Sequence, residues 1–251
     1  MAAGIADGPT GVRAVITPYF GRASTVTRQA VMEQDEPLSL DDRLLVQIAL
    51  WDELKDPVGV IEGFGRHIAP VVPDVRLLLA GPAAQDLRLY DPAAPDVYAQ
   101  ACAAREALEP DARRRVHLAS IPAEDPAESA GVVNALQRHA TIIIQKSLAE
   151  GFGLTVTESM WKYRPIVASA VGGIQDQITD GVDGVLLDDP TDLEAFGRAV
   201  VGLLADPVRA AALGAEAHER VRRQYLAARY FQQAAEFYRA LIQGDGHGIR
   251  R

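Results

Sequence analysis

The chain has 251 residues, with 25 Lys and Arg against 34 Asp and Glu, a formal charge of −9. It is 48% hydrophobic, 24% charged and 6% aromatic, which excludes wholesale disorder, collagen and coiled coil and allows one large domain or two small ones. The acidic balance argues against nucleic acid as a partner, which needs a basic face, but leaves room for a small anion held by a few cations and backbone amides.

Met1–Thr10 lacks the charged-then-apolar pattern of a secretion signal, and no apolar run approaches the roughly 20 residues of a membrane span. No membrane partner is expected, and a cytoplasmic location follows by default. The single cysteine, Cys102 in the Ala-rich stretch Ala99–Ala104, has no internal partner and reads as a small apolar residue. Residues 1–43 read as an N-terminal tail followed by an irregular or helical arm, because Gln29–Arg43 is acid-rich (Glu33, Asp35, Glu36, Asp41, Asp42) without a clean apolar period.

From Leu44 a repeating pattern begins. Short apolar runs without polar alternation occur at Leu44–Ala49, Val75–Ala80, Val116–Ala119, Thr141–Gln145, Pro165–Ala168 and Gly184–Leu187. Between most of them lie helical patterns, about Pro57–Ile68, Asp96–Ala107, Pro126–Arg138 and Leu154–Lys162. This order predicts an α/β fold, a Rossmann-like doubly wound parallel sheet of about six strands over residues 44–224. Two helices should follow, Asp192–Leu204 with Thr191 as N-cap and another opened by Pro207. The last segment, 225–251, contains an amphipathic helix over Tyr225–Ile242 with Tyr225, Tyr230, Phe231, Phe237 and Tyr238, and a frayed tail from Gly244. That helix either packs on its own domain or meets another domain or subunit.

The chemistry concentrates in Gln145–Gly173. Gly151 and Gly153 flank Phe152 in a strand-to-helix loop, followed by a helix from Leu154. Such a loop presents amides and the positive end of a helix dipole at the carboxyl edge of a parallel sheet, where phosphate is well held. Glu150 precedes the loop and Glu158 lies eight positions later. Two ionised carboxylates in one crevice would suit the vicinal hydroxyls of sugars, although a capping acid and a surface acid fit the same spacing.

The motif EGFGLTVTESM-x3-RPIVAS-x-VGG (Glu150–Gly173) resembles the donor-binding signature of retaining GT-B glycosyltransferases of family four. QKSLAEGFGLTV, MWK-x-RP and VNALQRHA (Val133–Ala140) are similar to the trehalose synthase and trehalose phosphorylase group within them. So are WDELKDPVGVI (Trp51–Ile61) and GVDGVLLDDPTDLEAFGRAV (Gly181–Val200). The resemblance implies the C-terminal, donor-binding half of a GT-B fold that binds a nucleoside-diphosphate glucose without a metal or other cofactor. It implies Glu150 on the donor sugar hydroxyls, Glu158 on the ribose, and Lys55 neutralising the departing diphosphate. Gly151, Phe152, Gly153, Leu154 and Thr155 would form the phosphate loop, with amides of the last three cradling the anion. Preorganised cations and amides of this kind act where leaving-group charge develops.

Three departures stand out. Relatives carry a second, acceptor-binding half, for which the 43 residues before the first strand are too short. Leu50 occupies the position of a family Arg that helps grip the diphosphate, and Tyr163 replaces a small residue before Arg-Pro. His67, His117, His139, His218 and His247 are scattered and read as structural. Asp41–Asp42 and Asp188–Asp189 read as turn or solvated residues, not metal ligands. The expected function is therefore the donor-binding domain of a trehalose-synthase-like glucosyltransferase, with a nucleotide sugar and a sugar acceptor as partners. A separate acceptor-domain protein or a second copy would meet the last helix. A non-catalytic binding module, an assembly subunit, and phosphorolysis at the same site remain open.

Overall fold

In the computed structural model, which describes residues 15–16, 24–83 and 91–242, the apolar runs lie side by side in one sheet. A small antiparallel pair, β1 (Val15–Ile16) and β2 (Ser24–Thr25), precedes it. The strands β3 (Val31–Glu33), β4 (Arg43–Ile48), β5 (Val75–Pro82), β6 (Val116–Ile121), β7 (Ile142–Gln145), β8 (Ile166–Ser169) and β9 (Val185–Leu187) then form seven ranks. Their order is β3-β6-β5-β4-β7-β8-β9. Strands β4 to β9 pair in parallel. The chain winds outward from β4 in both directions, which opens a crevice at the carboxyl ends of β4 and β7.

The seventh strand corrects the sequence reading of the arm as irregular or helical. Val31–Glu33 add to the sheet edge antiparallel to β6, with Val31 opposite Ser120 and Glu33 opposite Leu118. Three residues carry too little periodicity to be seen, and what secures them is distant in sequence. Arg105 Nη2 and Arg113 Nε donate to Asp35 at 2.7 and 2.9 Å, and these bonds hold the Asp35 carboxyl below the usual carboxylate range.

The helices are α1 (Pro57–Gly63), continued by a π turn over Phe64–Ile68, α2 (Ala94–Glu106), α3 (Pro110–Arg113) and α4 (Pro126–His139). Then come α5 (Leu154–Trp161), α6 (Ile174–Gln177), α7 (Leu193–Ala205), α8 (Pro207–Gln224) and α9 (Ala227–Ile242). Pro207 opens α8 as expected. The N-cap of α7 is corrected from Thr191 to Asp192, whose carboxylate accepts from the Ala195 amide at 2.8 Å. Thr191 turns instead to Asp189, which accepts from its amide and hydroxyl at 2.8 and 2.7 Å.

Neighbouring strand residues serve opposite cores. Leu45, Leu77, Leu79, Ile144 and Val167 pack with Phe64 of the π turn and Phe196 of α7. Val46, Leu78, Ile143 and Ile166 pack with Val156 and Met160 of α5 and Val221 of α8. A sheet covered on both faces needs this unbroken apolarity, which is why the strands show no polar alternation. Cys102 is half-buried on α2, and burial pushes its thiol up. Tyr225 lies outside α9, and the α9 aromatics Tyr230, Phe231, Phe237 and Tyr238 are exposed, so their own domain does not cover them. Among the described residues, no helix is long and apolar enough to cross a membrane.

Candidate functional site

The site begins where β4 ends. Gly81 on β5 allows the chain to turn closely past it: a Cβ there would lie 2.5 Å from the Ala49 carbonyl oxygen. Trp51 is buried in that turn, donating its indole N–H to Pro82 O at 2.7 Å. A single 3-10 turn, Glu53–Lys55, follows, capped by Asp52 through the Leu54 amide at 2.9 Å. It ends on Asp56, which takes the left-handed conformation (φ 49°, ψ 51°) and caps α1 by accepting from the Gly59 amide at 3.0 Å. Buried Gln47 reaches up from β4 to donate to Lys55 O at 2.8 Å. Lys55 thus stands on a short turn whose carbonyls at Glu53, Leu54 and Lys55 all accept hydrogen bonds.

The second wall leaves β7. Leu148 N donates to Leu54 O at 2.8 Å, fastening this segment to the first. Lys55 Nζ then meets Glu150 Oε2 at 2.5 Å, the two side chains only 18% and 12% exposed. Glu150 also accepts from Gln145 Nε2 at 3.5 Å and, through Oε1, from the Gly151 amide at 3.1 Å.

The loop after Glu150 is held from outside by Val171–Gly173. Gly173 N donates to Gly151 O at 3.0 Å, and the Gln177 side-chain amide donates to Phe152 O. Gly172, at φ +50°, is obligatory, because a Cβ there would fall 1.6 Å from Glu150 O. Phe152 leans edge-on against Tyr225 at 6.1 Å between ring centroids. Gly153, at φ +87°, takes the N-cap position of α5 with no side-chain capping bond, so among the described residues the first-turn amides of Leu154 and Thr155 have no side-chain acceptor. The Thr155 hydroxyl reaches Ile48 O at 3.5 Å.

Glu158, a turn further, has a different setting. It accepts from Gln137 Nε2 of α4 at 3.1 Å, and the Gln137 carbonyl oxygen accepts from Lys162. Burial lowers the Lys162 pKa, against the pull of the Glu158 charge. The structure therefore brings Lys55, Glu150 and Gly151 together and gives Glu158 a partner on the neighbouring helix. Beside them a largely apolar groove of about 290 Å³ runs past the carboxyl ends of β4 to β6 to the first turns of α4, lined by Ile48, Pro82, Ile121, Pro126, Ser129 and Val133 among others.

Sequence reasoning missed three residues here. Lys146 is wholly buried and pairs with Asp56, and Gln137 is wholly buried against Glu158 and Lys162. Their signal was only an unremarkable Lys, Asp and Gln, since a buried role is not visible in residue type. Leu50 is half exposed at the mouth. Tyr163 does not block the next strand: at φ +61° it swings out and stacks on His218, ring centroids 3.8 Å apart, with Trp161 on the other face at 4.4 Å. His117 is buried and pushed down to about 4, chiefly by burial, with Arg76 and Arg105 adding to it. His67 packs beside Gly197, and His247 lies outside the described residues. Asp42 pairs with Arg76 at 3.0 Å, and among the described residues no group of three or more His, Cys, Asp or Glu gathers as a metal set. What the arrangement offers is a paired cation and carboxylate at the head of the loop that leads to the uncapped amides of α5.

Residues 126–220 match the family described as glycosyl transferases group 1. A trehalose synthase from Rubrobacter xylanophilus is 35% identical over 220 residues, 88% of this chain and 47% of that protein. A sucrose-phosphate synthase from Thermosynechococcus elongatus superposes with a TM-score of 0.61 at 25% identity, over 82% of this chain and 47% of that one. The Anabaena HepE protein, solved in complex with UDP, superposes with a TM-score of 0.62 at 19% identity, over 80% of this chain and 49% of its own. The chain spans about half the length of the relatives it matches.

Proposed function

From a chain that carries a group 1 glycosyltransferase domain and is homologous to trehalose synthases, we propose a donor-binding role: it holds a nucleoside-diphosphate glucose for retaining transfer to a sugar acceptor. The observation that carries this reading is Lys55 Nζ at 2.5 Å from Glu150 Oε2, beside the uncapped start of α5. The end of one strand-to-helix loop thus offers a cation to a diphosphate and a carboxylate to sugar hydroxyls. HepE, of the same fold, was solved with UDP bound, which supports a nucleotide in this crevice.

In this reading the diphosphate lies on the amides of Gly153, Leu154 and Thr155, with Gly151 and Phe152 shaping the loop. Glu150 accepts from the glucose hydroxyls and Glu158 from the ribose, while the base enters the groove beside Ile48 and Val133. As the bond from glucose to the diphosphate breaks, negative charge grows on the leaving oxygen. Lys55, drawn off Glu150 when the donor binds, and the α5 amides then stabilise that charge as it develops. We assign the acceptor to a second half, since the relatives matched are about twice as long, and the exposed aromatic face of α9 to the contact with that half or with a second copy.

Calorimetry with UDP, ADP, GDP and their glucose conjugates tests the donor role. Binding of at least one pair, lost on Glu158→Ala with the fold intact, is expected. A folded chain that binds none of the six overturns the reading. Trehalose formation from the bound donor and glucose is expected only when an acceptor-binding half is supplied.

A further inference from the structure

Two ion pairs tie the same two stretches of chain together. Lys55 pairs with Glu150 at the head of the loop; the next residue, Asp56, pairs with Lys146, the residue that directly follows β7. The Lys146 side chain has no exposed surface, so this lysine acts on its surroundings only through Asp56, which keeps 17% of its side chain exposed.

Burying an ammonium costs several kcal/mol and is offset only by a well-placed partner, whereas an apolar side chain of similar length fills the space without that cost. The pair therefore has a positional consequence to be sought, and the backbone supplies it. Asp56 sits at φ 49°, in the left-handed region that residues with a Cβ seldom occupy. Its carboxylate is held on two sides, by Lys146 and by the Gly59 amide at 3.0 Å, while its own N–H closes the preceding turn on Glu53 O at 3.0 Å. Gly59 leaves the room for this: a Cβ there would lie 2.3 Å from an Asp56 carboxylate oxygen. Relaxing Asp56 out of the left-handed region would swing the peptide that carries Lys55.

We propose that Lys146 is a positioning residue: acting through Asp56, it fixes the turn that sets Lys55 against Glu150, and with it the spacing between the diphosphate cation and the sugar-hydroxyl acceptor. The inference rests on the nucleotide-sugar reading for its consequence in binding, but its structural half is separable.

Lys146→Met and Asp56→Asn in the full chain test it, with two readouts. The first needs no ligand. Trace acylation of Lys55, quantified by mass spectrometry against Lys162, should run about fivefold faster in both variants, since an Nζ released from its close contact with Glu150 is open to the reagent from more sides. The second is the affinity ratio of UDP-glucose to UDP, which should fall about tenfold, because displacing two binding groups relative to each other penalises the ligand that spans both. A residue that only stabilises the fold would lower the melting temperature and move neither readout. Folded variants with wild-type acylation and a wild-type ratio overturn the proposal. If Lys146→Met does not fold, Asp56→Asn decides, because Asn tolerates the left-handed region and keeps the cap to Gly59. If the wild-type chain binds neither UDP nor UDP-glucose, the nucleotide-sugar reading falls while the acylation rates still decide the positioning.

Discussion

Lys55 and Glu150, separated by 94 intervening positions in sequence, meet at 2.5 Å and occupy each other. A ligand has to part them. A free nucleoside diphosphate takes Lys55 and leaves Glu150 with only Gln145 and the Gly151 amide; a nucleotide sugar returns hydroxyl donors to Glu150 in exchange. Glu150→Gln should therefore act with opposite sign on the two ligands. UDP is expected to bind several-fold tighter, since freeing a charged donor is worth roughly 1.5–3 kcal/mol at most, and UDP-glucose is expected to bind more weakly. Calorimetry measures both; equal changes for the two ligands contradict the competition.

Leu50 lies half exposed at the mouth and contributes no buried contact to the core. Leu50→Arg is expected to leave the unfolding midpoint nearly unchanged, within about 0.5 kcal/mol for a surface site. It should tighten UDP binding about tenfold at low salt by adding a charge-assisted bond, a gain that fades as salt is raised. A salt titration by calorimetry checks it.

Gly172 is where the phosphate loop and the Val171–Gly173 segment come closest. Gly172→Ala would put a Cβ 1.6 Å from Glu150 O and a side chain at φ +50°. Overlap that severe requires the backbone to move, and a loss of about 3 kcal/mol or more is expected in chemical denaturation. Gly151→Ala, with nothing within 4 Å of its Cβ, is the control that should cost far less.

His117 gives the protein an acid-sensitive core. It lies beside Gln34, Nδ1 to Oε1 at 3.3 Å, and its folded pKa is about 4 against an ordinary 6.5. At pH above 6.5 the imidazole is neutral in both states and contributes no pH dependence. As pH falls from 6.5 toward 4 the unfolded chain takes up a proton that the folded one refuses, so stability drops, by roughly 3 kcal/mol at the low end. Urea unfolding across that window should show the slope in the native chain and a flatter one in His117→Gln. Carboxylates such as Asp35, held low by arginine bonds, act below this window.

Much of this protein is legible along the chain because its signals are local. The runs of β4 to β9 declare a sheet buried on both faces without reference to anything else. Gly151-Phe152-Gly153 after an apolar strand marks an amide-lined turn, and Lys55 and Glu150 stand out by their motif context. Pro207 opens α8 for a reason contained in one residue. Other features exist only because distant segments meet. The edge strand Val31–Glu33 depends on Arg105 and Arg113, over 60 positions away. That Glu158 finds Gln137, and that Tyr163 turns onto His218, depend on how α5 lies against α4 and α8. The buried partnership of Lys146 with Asp56 spans 90 positions, and nothing local distinguishes that lysine from one in solvent. Residue type and spacing are properties of the chain; burial, partner and the resulting charge state belong to the packed molecule.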